Sequence, residues 1–285
     1  MRLRSPLFAP GDSERKMNKA IASAADAVIL DLEDSVAAPA KPTARSMVPT
    51  VVRAHSGRAL IVRVNPRGTP WYLDDLAAVV PAQPAAVMLP KCSGADDLAA
   101  LGHHLEALEA AAGAPIGSIG VVAIVTETAG SVFALGGYAG VASRLLAICF
   151  GAEDLSADLG ITPRHSDGSY PAPVVVARAQ VLVAAGALGV PAIDTPYPDH
   201  SDPAGLKREA DAAAADGFAG KILIHPAQIE PVNAAFTPSP ERIRWAERVN
   251  AAFTANPDAG VFALDGKMID RPHWKLAQRI LASAG

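Results

Sequence analysis

Apart from single charged residues at 31, 63 and 221, apolar residues along the chain fall in short continuous runs, at residues 7–9, 27–32, 59–64, 86–89, 120–125, 145–150, 191–193 and 221–224. Between them lie stretches with apolar positions three and four apart, such as 14–25, 96–112, 174–185 and 203–215. Strict alternation marks a strand with one wet face, whereas a continuous run marks a strand covered on both faces, as in a parallel sheet flanked by helices. Eight such strands alternating with helices predict a (β/α)₈ (TIM) barrel over residues 1–235. An open doubly wound sheet would often show a glycine fingerprint after its first strand. Residues 236–285 follow as a C-terminal helical extension: a helix at 240–253, a glycine-containing segment at 260–272 and a last helix at 273–284. Such an extension can serve as a lid.

Polar residues sharpen this picture, because the predicted strands end in turns rich in functional groups. In order these are Pro10-Gly11, Asp31/Glu33/Asp34, Arg63/Asn65, Lys91, Glu127, Glu153/Asp154, Asp194 and His225. Barrel active sites form where the loops after the strands converge. Any one of these residues is equally well read as a soluble strand end; the set is not.

Charge and composition then remove whole classes of function. The formal net charge is −4, with no dense Lys/Arg stripe, which excludes the electrostatic footprint of nucleic-acid binding. Cys92 and Cys149 are the two cysteines, far apart and each in an apolar segment, so neither a disulfide framework nor a cysteine zinc site is expected, and the compartment reads as cytoplasmic. No HExxH or comparable histidine cluster points to zinc. No apolar run approaches the roughly 18 residues of a membrane span, and residues 1–11 lack the core of a signal peptide.

Several residues carry candidate chemistry. Glu127 and Asp154 come from the neighbouring strand ends five and six, so their carboxylates can converge on one cation. Mg²⁺ takes one or two carboxylates and leaves its other octahedral positions to water and substrate, such as the keto and carboxylate oxygens of a 2-oxo acid. The bland alternative is a helix cap or a surface charge. Arg63 offers a planar fork matched to a carboxylate. It can equally pair with Asp31, Glu33 or Asp34, and the two roles are compatible. Arg15 and Lys19 lie four apart on the first helix, behind Phe8, and suit the phosphates and arm of coenzyme A; a solvated helix face is the ordinary reading. His225 is either a ligand contact or a hydrogen-bonded rim residue. Lys91 and Lys221 admit a metal-free Schiff-base aldolase, although Lys91 is more economically an ion-pair partner for nearby carboxylates.

The segments RSPLFAPGDSERKMNKA (4–20), ADAVILDLEDSV (25–36), VRVNPRGT (62–69), MLPK (88–91), ETAG (127–130), FGAEDL (150–155), AIDTPY (192–197), GKILIHPAQI (220–229) and DGKMID (265–270) stand in order along the chain. Together they resemble the citrate lyase β-subunit-like family, within the HpcH/HpaI aldolase superfamily, which includes malyl-CoA and citramalyl-CoA lyases. The resemblance implies a Mg²⁺-dependent carbon–carbon lyase that cleaves or forms a 3-hydroxyacyl-CoA thioester. It implies Glu127 and Asp154 as metal ligands, and Arg63 with Glu127 at the substrate. It places Phe8, Arg15, Lys19, Ile224 and His225 at coenzyme A. The general acid/base role falls to Asp270 of DGKMID, ahead of Asp265; a cap on the last helix is the plain alternative for Asp270. In related lyases this motif sits in a lid over the adjacent subunit, so a homotrimer or a hexamer is expected. Other implied outcomes are a citryl-CoA lyase-type subunit working with carrier partners or only binding coenzyme A, and a malate-synthase-like condensing enzyme. The segment DGSYPAPVVVAR (167–178), with two prolines, departs from the family pattern.

Overall fold

The computed structural model describes residues 1–141, 143–257 and 260–284. Eight strands form one parallel sheet in sequence order: β1 (Pro6–Pro10), β2 (Ala27–Asp31), β3 (Leu60–Arg63), β4 (Ala86–Leu89), β5 (Gly120–Ile124), β6 (Leu145–Cys149), β7 (Ala192–Asp194) and β8 (Gly220–Lys221). The sheet closes on itself. Lys221 N–H donates to Arg4 O (2.9 Å), Leu223 N–H to Pro6 O (2.8 Å) and Phe8 N–H to Leu223 O (2.8 Å). At this seam the chains approach so closely that a Cβ on Gly220 would lie 1.9 Å from Leu3 O, so only glycine fits.

The continuous apolar runs now have a physical reason. Ala27, Ile29, Ile61, Ala86, Met88, Val122, Ile124, Ala147, Cys149, Ile193 and Ile222 form one buried cluster drawn from β2 to the last strand, the filled barrel interior. Their neighbours of opposite parity, such as Val28, Leu30, Val62, Val87 and Ile148, are equally buried, against the outer helices. Those helices are α1 (Glu14–Ile21), α2 (Lys41–Ala54), α3 (Tyr72–Val79), α4 (Ala95–Ala111), α5 (Ala129–Ala134), α6 (Ala152–Asp158), α7 (Ala172–Leu188), α8 (Pro203–Asp216) and α9 (Ile229–Ala235). The prolines at 171 and 173 do not interrupt α7. Pro171 is its N-cap residue and Pro173 stands in its first turn, where an N–H has no helical partner to lose.

The chain divides into two compact units, Met1–Asn233 and Ala234–Gly285. The second unit holds α10 (Pro240–Ala255), α11 (Arg271–Ala284) and, between them, an antiparallel hairpin of β9 (Val261–Leu264) and β10 (Lys267–Asp270). The glycine-containing segment is therefore not a simple loop. Asp265 and Gly266 both have positive φ (52° and 73°), as a two-residue primed turn requires. Ala246, Val249, Phe253, Ile269, Ala277 and Ile280 form this unit's own core, and Trp274 stacks on Phe253 at 5.2 Å. No helix of the described residues is long and apolar enough to cross a membrane.

Candidate active site

The strand ends of the first unit bring a charged cluster together. Asp31, the last residue of β2, is fully buried, and its two carboxylate oxygens receive the guanidinium of Arg63, the last residue of β3: Nε at 2.7 Å and Nη2 at 2.7 Å. Burial alone would raise the Asp31 carboxyl; the two Arg63 bonds outweigh it and hold the group below the usual carboxylate range. Arg63 Nη1 lies 2.9 Å from Glu33 Oε2, a contact without hydrogen-bond alignment. The Phe8 ring supports the guanidinium from below, 4.4 Å from centroid to Cζ. Of the two readings of Arg63, the internal pairing with Asp31 and Glu33 is present.

Lys91 follows β4 in the left-handed region, at φ 49°, a costly conformation for a residue with a side chain. Its main-chain N–H donates to the Glu127 carboxylate. Its ammonium lies 2.5 Å from Glu33, 3.2 Å from Asp34 and 3.5 Å from Asp154. One residue thus touches both Glu127 and Asp154, and the ion-pair reading of Lys91 holds. Lys221 is fully buried between Asp194 (2.8 Å) and Glu209 of α8 (2.5 Å).

Glu127 stands just beyond β5 and is 4% exposed. Burial, reinforced by the nearby charges of Asp154 and Glu33, pushes its carboxyl up to about 8, against the opposing N–H of Lys91. Asp154 occupies the first turn of α6, its side chain 37% exposed. Around them the main chain is held by hydroxyls that sequence reading assigned no role: Thr126 Oγ1 accepts from Gly151 N–H and Thr195 Oγ1 from Ala152 N–H, each at 3.2 Å. Gly151 also leaves room for Glu127, because a Cβ there would sit 2.6 Å from Glu127 Cγ. A glycine two residues before an acidic pair was the available signal.

These residues fit a hard divalent cation. Two hard carboxylates from adjacent strand ends lie within electrostatic reach of one another, one of them buried, and a cation beside Glu127 would offset the burial and repulsion that raise its carboxyl. No group of three or more His, Cys, Asp and Glu side chains is arranged to hold a metal ion among the described residues, so the remaining ligands would be water and substrate.

The other sequence-derived candidates have surroundings of their own. Arg15 and Lys19 are exposed on α1, and Ile224 is 43% exposed. His225 Nδ1 accepts from Ala227 N–H at 3.2 Å, and its ring lies 4.9 Å from that of His200. Asp270 belongs to the second unit. It directly precedes α11, and its carboxylate meets the His273 ring at 2.5 Å.

The family model HpcH/HpaI aldolase/citrate lyase matches residues 4–226. The chain belongs to this family. The family is one of Mg²⁺-dependent carbon–carbon lyases, and the protein is an enzyme of that type. The chain is 34% identical to the citrate lyase subunit beta of Leuconostoc mesenteroides subsp. cremoris, over 99% of this chain and 93% of the relative. It is 36% identical to a (3S)-malyl-CoA thioesterase of Cereibacter sphaeroides, over 99% and 94%. Among solved structures, protein CitE of Mycobacterium tuberculosis, in complex with magnesium, acetoacetate and coenzyme A, is 36% identical, with a TM-score of 0.77 over 99% of this chain and 98% of that one.

Proposed function

We propose that the protein is a Mg²⁺-dependent lyase that cleaves, or in reverse forms, a 3-hydroxyacyl-CoA thioester such as citramalyl-CoA or malyl-CoA, giving a 2-oxo acid and acetyl-CoA. The observation that carries this reading is the approach of Glu127 and Asp154, beyond the adjacent strands β5 and β6, to Arg63 at the end of β3, in a chain related to a protein solved with magnesium, acetoacetate and coenzyme A. Glu127 and Asp154 would hold the Mg²⁺. When bound, it supplies Lewis-acid stabilisation of negative charge on the oxo-acid half.

Arg63, aimed by Asp31 and Phe8, orients a substrate carboxylate. Asp270 takes the proton from the substrate hydroxyl; as the carbon–carbon bond breaks, its electron pair passes to the thioester α-carbon, which then recovers a proton. The resemblance of DGKMID to the lid of related lyases supports delivery of Asp270 from another copy of the chain in a homotrimer or hexamer. Phe8, Arg15, Lys19, Ile224 and His225 would hold the coenzyme A portion. Two buried unpaired thiols, Cys92 and Cys149, support a cytoplasmic setting.

The Schiff-base alternative finds no support in the lysines. Carboxylate partners keep the Lys91 ammonium charged well above its ordinary value, and Lys221 Nζ is buried in ion pairs with Asp194 and Glu209.

The test is to supply malyl-CoA and citramalyl-CoA with Mg²⁺ or with EDTA, reading 2-oxo acid and free thiol separately. Oxo acid formed only with Mg²⁺ is the expected result. Free thiol without oxo acid would make the enzyme a thioesterase, and binding without turnover would make it a carrier-dependent subunit. Full activity in EDTA, with borohydride trapping at Lys91 or Lys221, would establish the Schiff-base route.

A further inference from the structure

Outside the cluster at the barrel mouth, the densest charged network centres on Arg164, in the connection between α6 and α7. Its side chain is 12% exposed. Nε donates to Glu209 Oε2 (3.1 Å), and Nη2 lies within reach of Glu209 Oε1 (3.2 Å), Tyr170 Oη (3.1 Å) and Pro196 O (3.3 Å). The guanidinium lies 4.9 Å from the Tyr170 ring centre and 5.6 Å from that of Tyr197. Glu209 in turn receives Lys221 of β8. Arg164 is therefore tied to the loop after β7, to α8 and through it to β8. Tyr170 is fixed from its other side, because Pro171 and Pro173 restrict the backbone that follows it. The unusual DGSYPAP segment thus builds a rigid wall for this arginine.

One donor remains. Nη1 binds Glu153 Oε1 at 2.7 Å, and Glu153 is the residue before Asp154 in the first turn of α6. Thr126 and Thr195 hold the main chain at Gly151 and Ala152, and Arg164 holds the next residue by its side chain.

We propose that Arg164 is a positioning residue that, through Glu153, fixes the first turn of α6 and so sets Asp154 in its cation-binding position. This rests on the reading of Glu127 and Asp154 as the cation site. Glu153 is 45% exposed, so an ion pair there adds little to overall stability. Its value lies in direction: Mg²⁺ demands near-ideal octahedral geometry, and a ligand on a short, loosely held helix would sample positions that miss it.

Mn²⁺ binding, followed by the paramagnetic resonance of the free ion, tests this without turnover. Outer partners of metal ligands typically contribute about 10–100-fold in affinity, and one residue of separation places Arg164→Met near the lower end, at about tenfold weaker binding. Glu153→Ala severs only the link to α6 at an exposed side chain and should weaken Mn²⁺ several-fold with an unchanged melting temperature. Glu153→Gln, which keeps an oxygen acceptor for Nη1, should restore most of the affinity. Because both residues act through one bond, the double variant should bind no more weakly than Arg164→Met alone. If Arg164→Met does not fold, the two Glu153 variants carry the test. Wild-type Mn²⁺ affinity in folded Glu153→Ala would overturn the positioning role and leave the cation site standing. Failure of the wild-type protein to bind Mn²⁺ would remove the cation site itself, and the positioning role with it.

Discussion

Gly151→Ala isolates the space that Glu127 needs. Gly151 has φ −113° and ψ 92°, a conformation alanine adopts freely, so the backbone itself offers no objection. The objection is steric. The new methyl would stand 2.6 Å from Glu127 Cγ and 3.2 Å from Ile124 Cγ2, whereas carbon atoms rest about 3.5 Å apart or more. Glu127 Cγ must therefore recede by about 0.9 Å. Neither neighbour yields readily, since Ile124 belongs to the barrel core and the Glu127 carboxylate is tied to the Lys91 N–H. Overpacking of this kind costs about 1–3 kcal/mol, offset by about 0.4–1 kcal/mol from the stiffer unfolded chain, so folding should survive. The metal site should not, because ligand distances tolerate only about ±0.2 Å. We expect Mg²⁺ affinity to fall at least about tenfold, with a melting temperature lowered by a few degrees. Calorimetric titration with Mg²⁺, alongside thermal unfolding in EDTA, reads both quantities. Wild-type Mg²⁺ affinity in Gly151→Ala would refute the placement of Glu127 as a ligand packed against Gly151.

Because the Glu127 carboxyl lies at about 8 without metal, Mg²⁺ must displace a proton below that pH; apparent affinity should rise with pH, by up to about tenfold per unit, and level off above about pH 8. The same shift makes the folded metal-free protein bind this proton more tightly than the unfolded chain, whose carboxyl titrates near 4.5. Its contribution is full below about pH 4.5 and is lost as pH rises towards 8, so urea unfolding in EDTA should show stability falling by on the order of 1 kcal/mol per unit across the upper part of that window; a flat profile would count against the shift. Arg63→Lys keeps a charge but loses the fork that satisfies buried Asp31, so we expect weaker oxo-acid binding and a stability loss of roughly 1–3 kcal/mol; unchanged KM and unfolding midpoint would remove Arg63 from both roles. Asp270→Asn should lower turnover by about 10²–10⁴-fold while sparing Mg²⁺ binding, and co-refolding it with Glu127→Gln should recover part of the activity. No recovery in demonstrated mixed oligomers would place the base within its own chain.

The barrel was legible because its strands are buried on both faces, which leaves the continuous apolar signature of runs such as AVILD and LIVR. α2 was harder to read, since Pro42 and Pro49 lie within it and its polar face interrupts the spacing. The hairpin was readable in principle: VFAL and KMID flank Asp265-Gly266, a strong turn signal, but alternation over four residues is brief. At the candidate site, residue types and strand ends were enough to bring out Glu127, Asp154 and Arg63. What spacing could not reveal is which groups hold them. The contacts of Lys91 with Glu127 and Asp154, the hydroxyls of Thr126 and Thr195, and the reach of Arg164 to Glu153 join residues 11 to 63 positions apart, and such long-range contacts leave no local pattern.

The seam between the first and last strands has a consequence for biosynthesis. Pro6 and Leu223 are 217 positions apart, so β1 has one unsatisfied edge until nearly four-fifths of the chain has been made. At roughly 5–20 residues per second, that edge waits roughly ten to forty seconds on the ribosome. An open strand edge is a template for unwanted pairing, and PLFAP meets that hazard with a proline at each end, where the missing N–H denies a foreign strand part of its ladder. The nascent barrel is thus shielded at the edge that must wait longest.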